Sequence, residues 1–368
     1  VARVRVTKNR PRWAEAVLER LVTPSDVRVE PPCPVYATCG GCRLQHLSYE
    51  AQLEWKGRII ADALERIGKL GPTDPPEVVG SPDVLEYRSR VSFTLRRLRG
   101  GYVVGGYHAL GRPAHVIDIE ACMLADPLVG KAWGALRAGW DAGASLLPDG
   151  GRLRLTLRRT EDGVELLVEG GAEGWNARPL LDAVDGLRAI WHGTDEGTTL
   201  VAGVPGPGGG IAFEQVNRDA AALLRDHVEE RISALAPHAG GAVDAYCGIG
   251  EYGRPLARAG WRVTGIEVDE AAVEEALRDA PDGFEVRTGT VEDLLPAALP
   301  VDLLVANPPR AGLGPDVTSA IVASPPEHIV YVSCDPGTLA RDIRALSGAY
   351  AVTELRAFDL FPQTAHVE

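Results

Sequence analysis

The sequence lacks any uninterrupted apolar run of about 18 residues, the length needed to span a bilayer. Its first residues lack the basic and then apolar pattern of a signal peptide. It has no internal repeat and no low-complexity tract, while its 368 residues, 45% of them hydrophobic, suffice for two or three globular domains. We therefore exclude fibrous, coiled-coil and disordered classes and expect a cytoplasmic protein. Because it starts at Val1 and stops inside a motif at Glu368, we expect both ends to be trimmed.

The chain also lacks an excess of basic residues, since its formal net charge is -13 at pH 7. Nucleic acids bind basic surfaces, so this balance argues weakly against such a partner. The acidic excess is local, however, because residues 219–302 carry 17 Asp or Glu against 7 Lys or Arg. Residues 86–112 carry six arginines and one acid, Glu86. A basic region therefore lies in the first half of the chain.

Cysteines are few, and four of the six follow a pattern typical of metal ligands. Cys33, Cys39 and Cys42 lie in one short loop that contains glycine, and Cys122 would be a fourth ligand. In a cytosolic chain, clustered cysteines bind metals more often than they form disulfides. Four thiolates suit either tetrahedral zinc or a [4Fe-4S] cluster, and spacing alone does not separate the two. The spacing does exclude the C-x3-C-x2-C pattern of radical S-adenosylmethionine enzymes.

The periodicity of apolar residues predicts an α/β protein. Near residue 203 the predicted elements change from mainly strands to strands that alternate with helices. Before it, a helix is expected from Leu53 to Ile67, and alternating patterns predict strands at 90–96 and 152–158. After the Gly- and Pro-rich segment 203–210, strand patterns at 241–246, 261–266, 301–306 and 328–333 alternate with helical patterns at 216–234, 251–259, 270–280 and 337–346. Strands separated by helices predict a parallel, doubly wound, Rossmann-like sheet.

We accordingly predict three regions. Residues 1–32 are a remnant of a small basic β-barrel. Residues 33–202 are a β-rich central domain with the cysteine loop and two β-hairpins. Residues 203–368 are the doubly wound domain.

A glycine motif marks a ligand site in the third region. Gly248, Gly250 and Gly253 follow a strand and precede a helix, where glycines allow a tight turn and close approach of a ligand. Glu267 ends the next strand and could accept hydrogen bonds from ribose hydroxyls. This pattern fits NAD as well as S-adenosylmethionine, and a glycine turn without any ligand is the plain alternative. Asn307-Pro-Pro-Arg310 after the strand at 301–306 favours methyl transfer over hydride transfer.

Cys334 follows a strand-like run and precedes a turn, in the stretch YVSCDPGT. A lone cysteine in such a place is more often a small buried apolar group than a nucleophile. Its own position therefore leaves its role open. The surrounding motifs decide between the two readings.

Six ordered motifs resemble one family, the S-adenosylmethionine-dependent RNA 5-methyluridine methyltransferases, in the branch that carries an iron-sulfur cluster. The resemblance covers nearly the whole chain. The motifs are Cys33-x5-Cys39-Gly-Gly-Cys42 with Cys122, then Phe213-Glu-Gln-Val-Asn217, Asp244-Ala-Tyr-Cys-Gly-Ile-Gly250, Asn307-Pro-Pro-Arg310, Ser333-Cys-Asp-Pro-Gly-Thr338 and Phe361-Pro-Gln-Thr-Ala-His-Val-Glu368.

The resemblance implies that Cys334 is the nucleophile and Glu368 the base. Uracil C5 is a poor nucleophile until a thiolate adds at C6, and a base must then remove the C5 proton. The resemblance also implies a [4Fe-4S] cluster on Cys33, Cys39, Cys42 and Cys122, with a structural or RNA-positioning role. The cofactor would contact Gln215, Tyr246, Gly248, Gly250, Glu251, Glu267 and Asn307. The family usually has Asp at position 307 and commonly Asn at position 251.

We therefore predict a monomeric RNA uracil-C5 methyltransferase that acts on 23S ribosomal RNA and has no membrane partner. Transfer RNA is the next candidate substrate. The alternatives are an amino-group methyltransferase, suggested by Asn307, and a cluster-bearing RNA-binding protein without catalysis. The target uridine should be single-stranded or flipped out of a stem. Arginines 88, 90, 96 and 97, with Tyr87 and Phe93, are candidates to contact the RNA.

Overall fold

A computed structural model describes residues 1–11, 13–140, 143–206, 214–236 and 238–368. The predicted loop at 203–210 is described as far as Gly206, and its remainder lies outside these residues. Phe213, the first residue of the motif that contains Gln215, also lies outside them. Within the described part, no helix is both long and apolar enough to cross a membrane.

The N-terminal region begins with an exposed antiparallel hairpin of β1 (Ala2–Arg10) and β2 (Trp13–Leu21). Between β2 and the first helix, Arg28 makes an isolated bridge to Leu47. Helix α1 (Tyr49–Ala63) starts at Ser48, whose side chain accepts the N–H of Ala51, and it continues as a π-helical turn, Leu64–Gly68. The short strand β3 (Val78–Val79) follows.

The central region is a seven-stranded sheet with two helices on one face. Its elements are β4 (Arg90–Arg97), β5 (Val103–Ala109), β6 (Arg112–Asp118), α2 (Pro127–Gly139), β7 (Arg152–Arg159), β8 (Val164–Glu169), α3 (Arg178–Ala183), β9 (Leu187–Thr194) and β10 (Gly197–Gly203). The strand order is β10-β9-β8-β7-β4-β5-β6, antiparallel except for the pair β8 and β9. The expected strands at 90–96 and 152–158 are confirmed and pair with each other.

Alternation along β4 sends its apolar side chains into the core of this region. Phe93 is 1% exposed and stacks on Trp133 of α2 with ring centroids 3.8 Å apart. Arg97 is also held within the protein, because its guanidinium donates hydrogen bonds to five carbonyl oxygens between residues 143 and 150. The expectation that Phe93 and Arg97 contact RNA is therefore wrong, since one packs the core and the other holds a loop.

The C-terminal region is a five-stranded parallel sheet flanked by helices on both faces, which confirms the doubly wound prediction. Its elements are α4 (Arg218–Leu235), β11 (Gly241–Ala245), α5 (Gly253–Arg258), β12 (Arg262–Glu267), α6 (Glu270–Leu277), β13 (Phe284–Thr288), α7 (Val291–Ala298), β14 (Leu303–Ala306), α8 (Gly314–Ala323), β15 (His328–Tyr331) and α9 (Pro336–Leu346). The strand order is β13-β12-β11-β14-β15. Sequence patterns missed β13, a short and mostly exposed strand, and also α7 and α8.

Strand β16 (Ala357–Phe358) pairs in parallel with β3, so a segment near the last residues contacts the segment that precedes the central sheet. Helix α1 packs beside α9, and one apolar cluster contains Ile60 and Leu64 from the early segment with Ala340 and Val367 from the late one. Residues 49–79, which precede the central sheet in sequence, thus pack on the C-terminal region. The limits proposed for the three regions stay a prediction.

Candidate active site

The glycine turn follows β11 and has the conformation that its residues require. Gly248 and Gly250 have φ of 54° and 83°, a region that favours glycine, and Tyr246 also has a positive φ of 62°. At Gly253, a Cβ would lie 2.5 Å from Cε2 of Phe284 and 2.9 Å from Oδ2 of Asp244. The third glycine is therefore required by packing, while the first two shape the turn.

Glu267, at the end of β12, lies against this turn. Its Oε2 accepts the N–H of Gly248 at 2.9 Å, and its Oε1 accepts those of Val268 and Asp269 at 2.8 and 2.9 Å. An ionised carboxylate has about four acceptor positions, so acceptor capacity remains beyond these three bonds. The structure thus brings together Glu267 and Gly248, as expected from the sequence.

Asp244 is a buried acid directly beneath the turn. Its Oδ2 accepts the N–H of Gly253 at 2.7 Å, whereas its Oδ1 has no hydrogen-bond partner among the described residues. Burial, together with the charges of Glu251 and Glu267, raises the pKa of Asp244 to about 7. The hydroxyl of Tyr246 likewise has no partner there. The unpaired Oδ1 of Asp244, with the charges of Glu251 and Glu267 near it, suits a ligand that carries positive charge, as a sulfonium does.

The other two residues expected at the cofactor lie where α4 approaches the turn. Glu251 forms an ion pair with Arg225 of α4 at 2.9 Å. Gln215 is partly buried just before that helix. Its neighbour Val216 accepts a hydrogen bond from the N–H of Ser89, and Asn217 caps the helix by accepting the N–H of Ala220.

Asn307 follows β14, which lies next to β11 in the sheet. Its N–H donates to the carbonyl of Ala245 at 3.3 Å, so it adjoins Tyr246 at the carboxyl ends of the strands. Ligands of doubly wound sheets bind at this edge. Glu267, Tyr246 and Asn307 therefore share one edge with the glycine turn.

Cys334 and Glu368 are neighbours at the same edge, together with Arg310. Burial raises the pKa of the Cys334 thiol, the charge of Glu368 raises it further, and Arg310 opposes both. The side chain of Glu368 is partly buried. Burial and the charge of Glu251 raise the pKa of its carboxyl to about 7, against the opposing effect of Arg310. A thiol, a carboxyl whose pKa lies near neutral pH and a guanidinium thus lie close to one another.

The segment that carries Glu368 is fixed by residues from the start of the chain. Lys56 and Asp359 form an ion pair at 2.5 Å, with both side chains fully buried. The side-chain amides of Gln52 and Gln363 are also hydrogen-bonded. Tyr87 donates its hydroxyl proton to the carbonyl of Pro362 at 3.0 Å and is 8% exposed, so it too cannot stack on a base.

Sequence patterns missed Lys56, Gln52 and Asp359, although one signal was present. The expected apolar stripe of α1 included Ile60 and Leu64, and Gln52 and Lys56 precede them at the helical spacing of four. Polar residues on the buried face of a helix require buried partners. Ile67, which was placed on that stripe, is 43% exposed because the π-helical turn rotates it outward.

The four cysteines of the metal motif lie in one neighbourhood. The Cys39 backbone bridges to Ala109 after β5, and the Cys122 thiol lies 3.9 Å from the hydroxyl of Tyr107 on the same strand. Burial, together with the charges of the other three cysteines, raises the pKa of Cys42 to about 12. All six cysteines are free. Among the described residues, no three His, Cys, Asp or Glu side chains are yet spaced to hold a metal ion.

The two remaining cysteines differ in surroundings. Cys247 is 5% exposed inside the glycine turn, and its sulfur would lie 2.8 Å from a Cβ at Gly265. It fills space between β11 and β12, which is a packing role. Cys334 is instead partly exposed at the strand edge.

Comparisons with known proteins show which family this chain is similar to. Residues 293–368, which include Asn307, Cys334 and Glu368, match the family model described as tRNA (Uracil-5-)-methyltransferase. An uncharacterized RNA methyltransferase of Synechocystis is 32% identical over 99% of this chain and 86% of its own length. Another, of Gloeobacter violaceus, is 34% identical over 95% of this chain and 83% of its own.

A solved structure extends the likeness to three dimensions. The Pyrococcus abyssi tRNA (uracil-54, C5)-methyltransferase, crystallised with S-adenosyl-L-homocysteine, superimposes with a TM-score of 0.70 at 26% identity, covering 99% of this chain and 90% of its own. The α/β methyltransferase fold expected from the sequence is confirmed. The chain is an S-adenosylmethionine-dependent RNA methyltransferase and belongs to the RNA uracil-5-methyltransferase family.

Proposed function

We propose that this enzyme methylates C5 of a uridine with Cys334 as the nucleophile and Glu368 as the general base. The observation that carries the proposal is the partly buried Glu368 carboxyl, which lies near enough to the Cys334 thiol for its charge to raise the pKa of that thiol. A base works best when its pKa lies near the working pH, and that of Glu368 is raised to about 7.

The reaction balances with these two residues. The Cys334 thiol loses its proton to solvent, and the thiolate forms a bond to C6, which moves the double-bond electrons towards C5 and O4. C5 then takes the methyl carbon, and the methyl–sulfur bond breaks with its electron pair left on the departing thioether, S-adenosylhomocysteine. The Glu368 carboxylate takes the C5 proton, the C5–H electrons restore the C5–C6 double bond, and the Cys334 thiolate leaves.

Arg310 fits the same sequence of steps. Its charge lowers the pKa of both Cys334 and Glu368. It therefore favours the two ionised forms that the reaction uses, the thiolate and the carboxylate. Without it, the pKa of both groups would be higher.

The methyl donor would bind across the glycine turn, at Gln215, Tyr246, Gly248, Gly250, Glu251, Glu267 and Asn307. Glu267 has acceptor capacity left for the ribose hydroxyls, and the acidic group of Asp244, Glu251 and Glu267 suits the cationic end of the donor. When bound, the donor supplies an electrophilic methyl group.

Cys33, Cys39, Cys42 and Cys122 would hold a [4Fe-4S] cluster. The donor set fits it chemically, because four free thiols are present and Cys33, Cys39 and Cys122 lie near enough to help raise the pKa of Cys42. The cluster would tie the loop 33–42 to the segment after β6. No electron transfer is needed for the steps above, so its role would be structural.

We propose a uridine of 23S ribosomal RNA as the target, in the cytoplasm and with the enzyme as a monomer. A transfer-RNA uridine is the second candidate, and it is supported by the Pyrococcus abyssi enzyme, whose name specifies tRNA uracil-54. Methylating total RNA from a deletion strain with labelled donor, then mapping the labelled nucleotide, separates the two. Label in the 23S RNA supports the first candidate and label in transfer RNA alone rejects it.

Trapping with 5-fluorouridine RNA tests the chemistry. Fluorine at C5 cannot be removed as a proton, so the methylated adduct with Cys334 should persist as a covalent RNA–protein band. The band should disappear in Cys334→Ala and remain in Cys247→Ala, the matched cysteine control. RNA binding without adduct or methyl transfer would indicate a binding protein, and methylated amino groups without an adduct would indicate the alternative enzyme.

A further inference from the structure

We propose that Lys56 and Gln52 of α1 are positioning residues that aim Glu368 at the C5 proton. This inference rests on the proposed roles of Cys334 and Glu368. Neither Lys56 nor Gln52 contacts the reacting atoms. They act through the segment 359–364, which leads to Glu368.

Lys56 holds the start of that segment by its charge. Its ammonium group is completely buried, pairs with Oδ1 of Asp359 at 2.5 Å and donates to the carbonyl of Phe361 at 3.1 Å. Asp359 also accepts the N–H of Phe361 at 3.0 Å and the hydroxyl of Tyr49 at 3.1 Å. A buried ion pair is costly to desolvate and is retained where such bonds satisfy both charges. Here every bond made by Lys56 ends on the segment before Glu368.

Gln52 holds the middle of the segment through two hydrogen bonds of its side-chain amide. Its Nε2 donates to Oε1 of Gln363, and its Oε1 accepts the backbone N–H of Gln363, each at 3.0 Å. Gln363 has a left-handed φ of 68°. Its carbonyl accepts the N–H groups of Arg43 and Leu44, at 2.9 and 3.0 Å. The peptide around Gln363 is thus bonded on both sides, and its strained conformation is maintained by those bonds.

The two contacts leave Glu368 little freedom. The segment starts next to Phe358 and returns to it, because Glu368 and Phe358 exchange backbone hydrogen bonds. Lys56 and Gln52 form hydrogen bonds with the intervening turn. Near the same place, the charge of Lys56 reaches His366, whose pKa it helps to lower. A shift of the turn would therefore be transmitted to the Glu368 carboxylate.

Measuring adduct formation and adduct breakdown separately distinguishes residues that position Glu368 from residues that only stabilise the fold. Formation with 5-fluorouridine RNA requires Cys334 and the donor but no proton removal, whereas turnover of uridine RNA requires Glu368. The test variants are the double change Lys56→Met with Asp359→Asn, which leaves no unpaired buried charge, and the single change Gln52→Met. The matched control is Lys131→Met with Asp185→Asn, which removes an exposed Lys–Asp pair of 3.0 Å.

We expect the test variants to form the fluorinated adduct at the parent rate. Their kcat on uridine RNA should fall by roughly a hundredfold, the effect of misplacing a reacting group by about 1 Å. KM for RNA and donor should stay constant, and the methylated adduct should accumulate. The control should match the parent in every measurement.

Three results overturn the proposal. One is an equal loss of adduct formation and turnover in folded variants, which would show a structural role. Another is unchanged turnover. The third is unfolding of both test variants, judged by circular dichroism, since the contacts would then be needed for the fold itself. Absence of any adduct in the parent enzyme would instead reject the proposed function and is recognised separately.

Discussion

Glu368 and Phe358 are paired through their backbones in both directions. The N–H of Phe358 donates to the carbonyl of Glu368 at 2.9 Å, and the N–H of Glu368 donates to that of Phe358 at 3.1 Å. The last residues of a chain commonly fray unless they are tied down. Here the pair continues from β16, which is itself bonded to β3, so the carboxyl of Glu368 is held beside Cys334.

Replacing the base should stop the reaction after methyl transfer. In Glu368→Gln the amide cannot take the C5 proton, so the thiolate cannot leave and a methylated adduct with uridine RNA should accumulate. Turnover should fall by roughly 10²- to 10⁴-fold, the usual contribution of a positioned base. Gel analysis with methyl-labelled donor measures both quantities. The exposed Glu327→Gln should behave as the parent, and loss of adduct formation in Glu368→Gln would contradict the assignment.

The breakdown of the adduct should depend on pH with a midpoint near 7. Burial raises the pKa of Glu368 to about 7, so below that pH the carboxyl is protonated and cannot act as a base. The rate should therefore rise as pH increases through 7 and then level off. Formation of the adduct should titrate at higher pH, because the pKa of Cys334 is raised from that of an ordinary thiol. Single-turnover measurements of each phase from pH 5.5 to 10 provide the check.

Removing a neighbouring charge should move that midpoint. The charge of Glu251 helps to raise the pKa of Glu368, so Glu251→Gln should shift the midpoint for breakdown to lower pH. The experiment uses saturating donor, because Glu251 is also assigned to donor binding. A shift to higher pH, or none, would show that Glu251 does not act on Glu368.

Donor binding should depend on Glu267. Glu267→Ala removes one hydrogen bond from the glycine turn, two from the backbone N–H groups of Val268 and Asp269, and the proposed ribose acceptor. Hydrogen bonds to charged groups contribute about 1.5–3 kcal/mol each, so we expect at least a roughly tenfold weaker Kd for S-adenosylhomocysteine. Isothermal titration calorimetry measures it. Glu285→Ala on the next strand, whose carboxylate is exposed, should bind as tightly as the parent, and equal binding by both variants would refute the site.

Iron content should distinguish the clustered cysteines from the others. Protein purified without oxygen should contain iron and acid-labile sulfide, which Cys122→Ser should lose and Cys247→Ser should keep. The reason is position, since Cys122 lies with the loop at 33–42 and Cys247 lies in the glycine turn. Zinc in place of iron in the parent would reject a [4Fe-4S] cluster, as would equal iron in both variants.

Local sequence was a good guide wherever a pattern reflects one element. Alternation in 90–96 and 152–158 identified β4 and β7, and four strand patterns identified β11, β12, β14 and β15. It failed where burial depends on neighbours. Strand β13 is short and half exposed, and Phe93, expected at the RNA, stacks on Trp133. Such outcomes depend on what covers each face of a sheet, which periodicity does not record.

The sequence by itself determined the alternating strands and helices, the glycine turn and the cysteine that follows β15, because short-range spacing encodes turns and buried faces. Tertiary structure decided which residues meet. Lys56 and Asp359 are 303 positions apart, and Gln52 and Gln363 are 311 apart. Only folding brings α1 onto the segment before Glu368 and places that carboxyl beside Cys334. The physical reason is burial: the charged and amide groups of α1 need partners inside the protein, and those partners lie at the far end of the chain.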